Sequence, residues 1–227
     1  IAAWQDYALD QRFAVSQSQI AILDYGMGNL HSVANAVKTV APDCDVVITA
    51  EAAVADSADR IIFPGVGAIR DCMSEILRLG FDQILTKAIA EKPVLGICVG
   101  MQALMQRSDE NGGAECLGLL PGAFHKFQAA VDDSGNKLKV PHMGWSQVEH
   151  DQHPIWQGIE QHERFYFVHS YYLPVAESDC VAAHCQYGVD FVAAVAQGNL
   201  FAVQFHPEKS ATAGLQLLEN FSQWRGV

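Results

Sequence analysis

Cys98 lies in the run Pro93-Val94-Leu95-Gly96-Ile97-Cys98-Val99-Gly100-Met101-Gln102, and far downstream the chain reads Gln204-Phe205-His206-Pro207-Glu208. A thiol, an imidazole and a carboxylate are the three parts of a nucleophilic acyl-transfer site. The thiol attacks a carbonyl carbon, the imidazole moves the proton, and the carboxylate orients the imidazole. Small residues, Gly96 and Gly100, stand two positions to either side of Cys98. A nucleophile on a tight strand-to-helix turn needs this, because larger neighbours collide there. A helix starting after Cys98 points free backbone N–H groups and a positive dipole end at the sulfur, which favours negative charge on it. The Val99 amide is then placed to donate to a developing oxyanion. Pro207 disfavours helix at His206 and predicts an extended segment, in which residues two apart face the same side. Glu208 is thus expected to hydrogen-bond one ring nitrogen of His206 and leave the other for Cys98. Either run alone reads as ordinary structure: a buried inert thiol, or a satisfied histidine at a strand end. Together, each at the end of a predicted strand, they read as catalytic.

The elements that must bring the two runs together follow from hydrophobic periodicity. Residues 19–25 form a short apolar run closed by Gly26-Met27-Gly28-Asn29, a strand and turn leading to a helix start. Leu30, Val33, Val37 and Val40 then recur at helical spacing. Strands are expected over 45–49 and 60–63, the second ending at Pro64-Gly65-Val66-Gly67. Helices follow through Ile69, Met73 and Leu77, and through Leu85 and Ala88. A strand over 94–97 ends on Cys98, and 99–106 fits a helix. This alternation predicts a mostly parallel sheet covered by helices on both faces. The second half changes to short strand-like runs at 122–127, 140–148, 164–172, 180–183, 191–196 and 200–205. Gly198-Asn199 makes a hairpin turn between the last two. A helix is expected over 213–224. The fold class is therefore α/β, with an antiparallel or mixed C-terminal portion.

Other features bound the function. The chain has 227 residues, half of them apolar, and a formal net charge of −12. That size suits one large domain over 19–227. The acidic balance and the lack of a basic run argue against nucleic acid, which needs clustered Lys and Arg. No apolar run reaches the roughly 18–20 residues of a membrane helix; the longest, 191–205, is cut by Gln197-Gly198-Asn199. The six cysteines form no CxxC pair, which argues against a zinc ribbon and suits reduced thiols in the cytoplasm. Glu149-His150-Asp151-Gln152-His153 fits no zinc spacing and reads as a polar loop, so no metal is expected. Gly26-x-Gly28 lacks the third glycine of a dinucleotide fingerprint, since His31 holds that place. The Gly65-Val66-Gly67 turn reads equally as an ordinary strand-to-helix turn and as one whose glycines let a substrate approach closely and supply a second oxyanion donor. Residues 1–18 carry Asp6, Asp10 and Arg12 where a secretory leader is apolar, and are set apart as an N-terminal extension with no assigned role.

The elbow around Cys98, together with His206-Pro207-Glu208, resembles the class I glutamine amidotransferases. More narrowly, four stretches resemble the glutaminase subunits of imidazole glycerol phosphate synthase. They are Asp24-Tyr25-Gly26-Met27-Gly28-Asn29-Leu30, Pro64-Gly65-Val66-Gly67, Pro141-His142-Met143-Gly144-Trp145 and Phe167-Val168-His169-Ser170-Tyr171. The resemblance runs from about residue 19 to the C-terminus. It implies that Cys98 attacks the side-chain amide of glutamine while His206, held by Glu208, shuttles the proton. It implies that backbone groups of Gly65, Val66, Gly67 and Val99 serve the oxyanion, and that Gln102, Glu110, His169 and Ser170 hold glutamine. Met143, Trp145, Tyr166 and Lys209 then face a partner, a (β/α)8-barrel cyclase that receives the ammonia within a heterodimer. No cofactor is implied. Glutaminase subunits of anthranilate or aminodeoxychorismate synthase share the Cys and His-Pro-Glu runs but are not expected to carry Pro-His-Met-Gly-Trp. A stand-alone γ-glutamyl hydrolase would work without a partner. A non-catalytic binding module has no need of the intact Cys, His and Glu.

Overall fold

The computed structural model describes residues 17–131, 135 and 137–227. Most of the expected extension, residues 1–16, lies outside the described residues. The first half runs β1 (Gln19–Leu23), α1 (Leu30–Val40), β2 (Asp45–Thr49), α2 (Ala52–Ser57), β3 (Arg60–Gly65), α3 (Ile69–Arg78), α4 (Phe81–Glu91), β4 (Val94–Cys98) and α5 (Val99–Leu104). The second half holds β5 (Arg107–Ser108), β6 (Ala114–Glu115), β7 (Ala123–Lys126), β8 (His142–Gln147), β9 (Glu149–His150), β10 (Arg164–His169), β11 (Tyr171–Tyr172), β12 (Val181–Gln186), β13 (Asp190–Gln197), β14 (Leu200–Val203) and α6 (Ala211–Gln223).

The main sheet has the order β2-β1-β3-β4-β14-β13-β12-β9. β2, β1, β3, β4 and β14 run parallel, and the remaining pairings are antiparallel. The central strands are apolar along their length; every residue of β4 and β14 is buried. That is the expected pattern for strands covered on both faces. Two small sheets, β10-β8 and β11-β7-β5-β6, stand beside the main one. Among the described residues, no helix is long and apolar enough to cross a membrane.

The parallel pairing of β4 with β14 positions the site. Val94 to Ile97 register with Leu200 to Val203, and on the other side Gly65 registers with Cys98. Three chain segments therefore leave the same carboxyl edge of adjacent strands, where parallel α/β sheets carry their sites.

Several expected elements differ in extent. α2 was not foreseen, since it is alanine-rich and buries only Ala55. β3 continues through Pro64 and Gly65, where the Tyr25 hydroxyl donates to the Pro64 carbonyl at 2.7 Å. α5 stops at Leu104 rather than Gln106. The carbonyls of Ala103 and Leu104 accept instead from Leu117, Leu119 and Leu120 N–H, so the last turn is satisfied without further helix. The run over 164–172 breaks at Ser170, whose carbonyl accepts from Phe127 N–H at 3.0 Å. Its halves then join different sheets. Glu149-His150 is an edge strand on β12 rather than loop.

Candidate active site

Cys98 sits between β4 and α5 with φ 56° and ψ −113°. This is a left-handed-side conformation that a residue with a side chain adopts at a cost. The elbow is closed by Gly100, whose position lies against the Phe63 carbonyl of β3, and by Gly96, packed against Ala202 and Leu104. The expected need for small residues thus has a named cause: each borders a neighbouring strand.

His206 follows β14. Its ring Nδ1 lies 2.9 Å from Glu208 Oε1, with both side chains almost wholly buried. The contact agrees with expectation, but the geometry behind it does not. Pro207–Lys209 is a single 3-10 turn rather than extended chain, and His206 alone keeps extended angles. The turn brings Glu208 back under the ring. His206 Nε2 and Glu208 Oε2 have no hydrogen-bond partner within the described chain. Burial lowers the affinity of the His206 ring for a proton, but Cys98 and Glu208 outweigh it and push its pKa up to about 10. The ring is thus built to hold a proton beside the sulfur.

Cys98 and His206 open together into a cavity of about 310 Å³. That is near the lower bound for small-molecule sites, roughly 300–1,000 Å³, and suits an amino-acid-sized ligand. Val66, Gly67, Val99, Gln102, Glu110, His169 and Ser170 line it, joined by Pro141, Val168 and Tyr171. Gly65 lies beneath, paired with Cys98 in the sheet. A larger cleft of about 440 Å³ lies around Trp145, Arg164 and the first turn of α6 and contains neither Cys98 nor His206. Among the described residues no group of three or more His, Cys, Asp or Glu is placed to hold a metal ion.

The comparisons with known proteins fit this geometry. The family model "Glutamine amidotransferase class-I" matches residues 21–223. The chain is 56% identical over 208 residues to "Imidazole glycerol phosphate synthase subunit HisH 1" of Pseudomonas aeruginosa, covering 91% of this chain and 97% of that one. It is 54% identical over 209 residues to the HisH subunit of Acinetobacter baylyi, covering 91% and 98%. The chain belongs to the class-I glutamine amidotransferases, and within them to the HisH subunits. The solved structure of PurLQS from Thermotoga maritima shares the fold at TM-score 0.66 and 19% identity, covering 91% of this chain and 98% of that one.

In this amidotransferase the stretch from the end of β3 to the start of α3 is held at three points. Besides the Tyr25 contact to Pro64, the Cys72 thiol lies 3.4 Å from the Val66 carbonyl. Burial, with the charges of Glu110 and Asp71, pushes Cys72 up to about 12, so it remains a thiol that donates. Glu110 Oε2 accepts from Ile69 N–H at 2.9 Å, at the start of α3. Glu110 therefore both lines the cavity and ties its own turn to the start of α3. Gln102 donates to Gln204 Oε1 at 3.0 Å, and Gln204 Nε2 lies 3.7 Å from Cys98 Sγ. Gln204 was missed in the sequence, although its place two residues before His206 on an extended segment was the signal. Ser210 was missed too. It donates to the His206 carbonyl at 2.6 Å and accepts from Tyr166 N–H at 2.9 Å, while His206 N–H donates to the Tyr166 carbonyl at 2.9 Å. The backbone of Tyr166 thus braces His206 directly.

The residues expected to face a partner lie on the β8–β10 ribbon and the turn after β14. Met143 is 62% exposed and Trp145 48%. Trp145 packs edge-on against Tyr166, its register partner, and Lys209 is exposed.

Two expected outcomes arise here. Glu208→Gln should lower turnover by roughly 10²–10³-fold, less than loss of the nucleophile, because orientation is weakened while the nucleophile stays. Loss of the carboxylate charge should also shift the His206 titration downward from its raised value. A kcat profile against pH checks both, and a loss as deep as that of a missing nucleophile would mean Glu208 does more than orient. The second concerns two buried rings. Burial pushes His142 down to about 4 and His169 down to about 3. Histidine titrates near 6.5 in an unfolded chain, so between these values the unfolded state binds more protons. Their contribution to stability is complete above about pH 6.5 and is lost as pH falls toward the folded values. The urea midpoint should drop between about pH 7 and about pH 5 by less in His142→Asn than in the parent chain; equal drops would contradict this.

Proposed function

We propose that residues 19–227 act as one domain, the glutaminase subunit of imidazole glycerol phosphate synthase. In this reading Cys98 attacks the side-chain amide carbon of glutamine. The tetrahedral oxyanion is met by backbone N–H groups of Val99 and the Val66–Gly67 loop. His206, held by Glu208, gives its proton to the departing ammonia. Water then cleaves the glutamyl thioester to glutamate and restores the thiol. Gln102, Glu110, His169 and Ser170 form the walls that receive glutamine.

The ammonia passes to a cyclase subunit, folded as a (β/α)8 barrel, which makes imidazole glycerol phosphate for histidine biosynthesis. Met143, Trp145, Tyr166 and Lys209 form the face that meets it in a heterodimer. The observation that carries the reading is the strained Cys98 elbow beside the buried His206–Glu208 pair in a cavity of about 310 Å³. The exposed Met143 and Trp145 on β8 support the partner. Six unpaired thiols support the cytoplasm, where reducing conditions keep them so.

The test is glutamate release from glutamine by this chain alone, then with the cyclase, then with the cyclase and its ribonucleotide ligand. A low rate that climbs at each addition is expected. A high rate from the chain alone, unmoved by the cyclase, would point to a free-standing hydrolase.

A further inference from the structure

His142 and His169 face each other across the β8–β10 register. Four polar groups line up through them. Ser146 Oγ is 2.9 Å from His142 Nε2, His142 Nδ1 is 3.0 Å from His169 Nε2, and His169 Nδ1 is 2.8 Å from the Tyr171 carbonyl. A carbonyl oxygen only accepts, so His169 carries its proton on Nδ1. Neutral His169 then accepts at Nε2, which places the His142 proton on Nδ1. His142 Nε2 is left to accept from the Ser146 hydroxyl. Every group is satisfied, and the chain runs in one direction. A proton added to both rings would set two N–H groups head to head, and burial keeps both rings neutral at ordinary pH.

The His142 ring has no freedom to leave this line. It is stacked on Tyr187 at 3.9 Å and on Phe167 at 5.0 Å between centroids, each within 20° of parallel. Its nitrogens can point only in the plane between those two rings. At the far end, the chain fixes His169 and the Tyr171 carbonyl. Val168, His169, Ser170 and Tyr171 are one wall of the Cys98 cavity. His142 itself does not line that cavity, so it acts through His169.

We infer that His142 is a positioning residue for glutamine. Its Nδ1–H holds His169, and through it the 168–171 wall, in the shape that receives the substrate. The inference rests on the cavity being the glutamine site, and it assigns to His169 a held ring rather than a free polar contact.

Two measurements test it on the full chain with its cyclase. Long-range ¹⁵N–¹H NMR of the histidine rings should find His142 and His169 both neutral with the proton on Nδ1, the less common tautomer of free histidine. A ring protonated at Nε2, or charged, at neutral pH would overturn the chain whatever the activity. His142→Phe keeps a flat ring between Tyr187 and Phe167 but removes both nitrogens. It should raise KM for glutamine by roughly tenfold, the size of one lost hydrogen bond, with kcat at saturation little changed. His142→Asn puts an amide N–H where Nδ1–H was and should restore KM to near the parent value. An unchanged KM in His142→Phe, or no rescue by Asn, would overturn the role. A parent complex that releases no glutamate would instead defeat the glutaminase reading and leave the NMR result to decide the hydrogen-bond chain.

Discussion

Cys98→Ala should lower glutamine-dependent synthesis by at least roughly four orders of magnitude, in line with loss of the nucleophile in other covalent hydrolases. The same variant, in complex with the cyclase, should still use free ammonia at the parent rate. The split follows from the structure, because the side chain lines a preformed cavity and its loss leaves both neighbouring strands in place. Cys98 is buried between Gly65 of β3 and the start of α5, and alanine fits that space without new contacts. Glutamine-driven turnover that survived the change would mean that another group attacks. Loss of ammonia-driven turnover as well would mean that the variant had damaged the partner face.

The second large effect is a folding effect at the same elbow. By helix propensity alone, Gly100→Ala in α5 should stabilise by about 1 kcal/mol. The packing says the opposite. A Cβ on Gly100 would fall on the Phe63 carbonyl oxygen, a backbone atom of the central strand β3. The strand or the helix must then move, and both ends of that contact carry the site: Gly65 lies two residues beyond Phe63, and Cys98 two residues before Gly100. Destabilisation by more than ~3 kcal/mol is expected, with glutamine turnover lost even in the fraction that folds. Urea unfolding and steady-state kinetics on the complex check the two parts. A variant as stable as the parent would show that β3 and α5 are not in the contact described.

Both effects were partly legible in the sequence. Gly96 and Gly100 flanking Cys98 announced a crowded turn, but only the fold says which atoms crowd it. The strands over 94–97 and 200–205 were readable as apolar runs. That they lie side by side and parallel was not, because strand order depends on contacts a hundred residues apart. The Glu208 contact was readable from its distance along the chain to His206, although a 3-10 turn rather than an extended segment delivers it. Gln204 and Ser210 carry ordinary residue types and no spacing rule beyond proximity to His206. Their roles emerge only when Cys98 and Tyr166 are brought against them. His142 stood out as part of Pro141-His142-Met143-Gly144-Trp145, but its partner His169 lies on another strand, and the direction of the bond between them needs the Tyr171 carbonyl. The short helix at Ala52–Ser57 left no periodic trace, since alanine supplies propensity without an apolar stripe.

The most direct test of the central claim is covalent capture. The complex with the cyclase would be treated with a glutamine analogue bearing a diazoketone in place of the amide, and the peptides mapped by mass spectrometry. One adduct per chain on Cys98, slowed by added glutamine and sharply reduced in His206→Ala, is the expected result. An adduct on Cys72 or any other cysteine, or capture at Cys98 that ignores both glutamine and His206, would contradict a Cys98–His206–Glu208 glutaminase site.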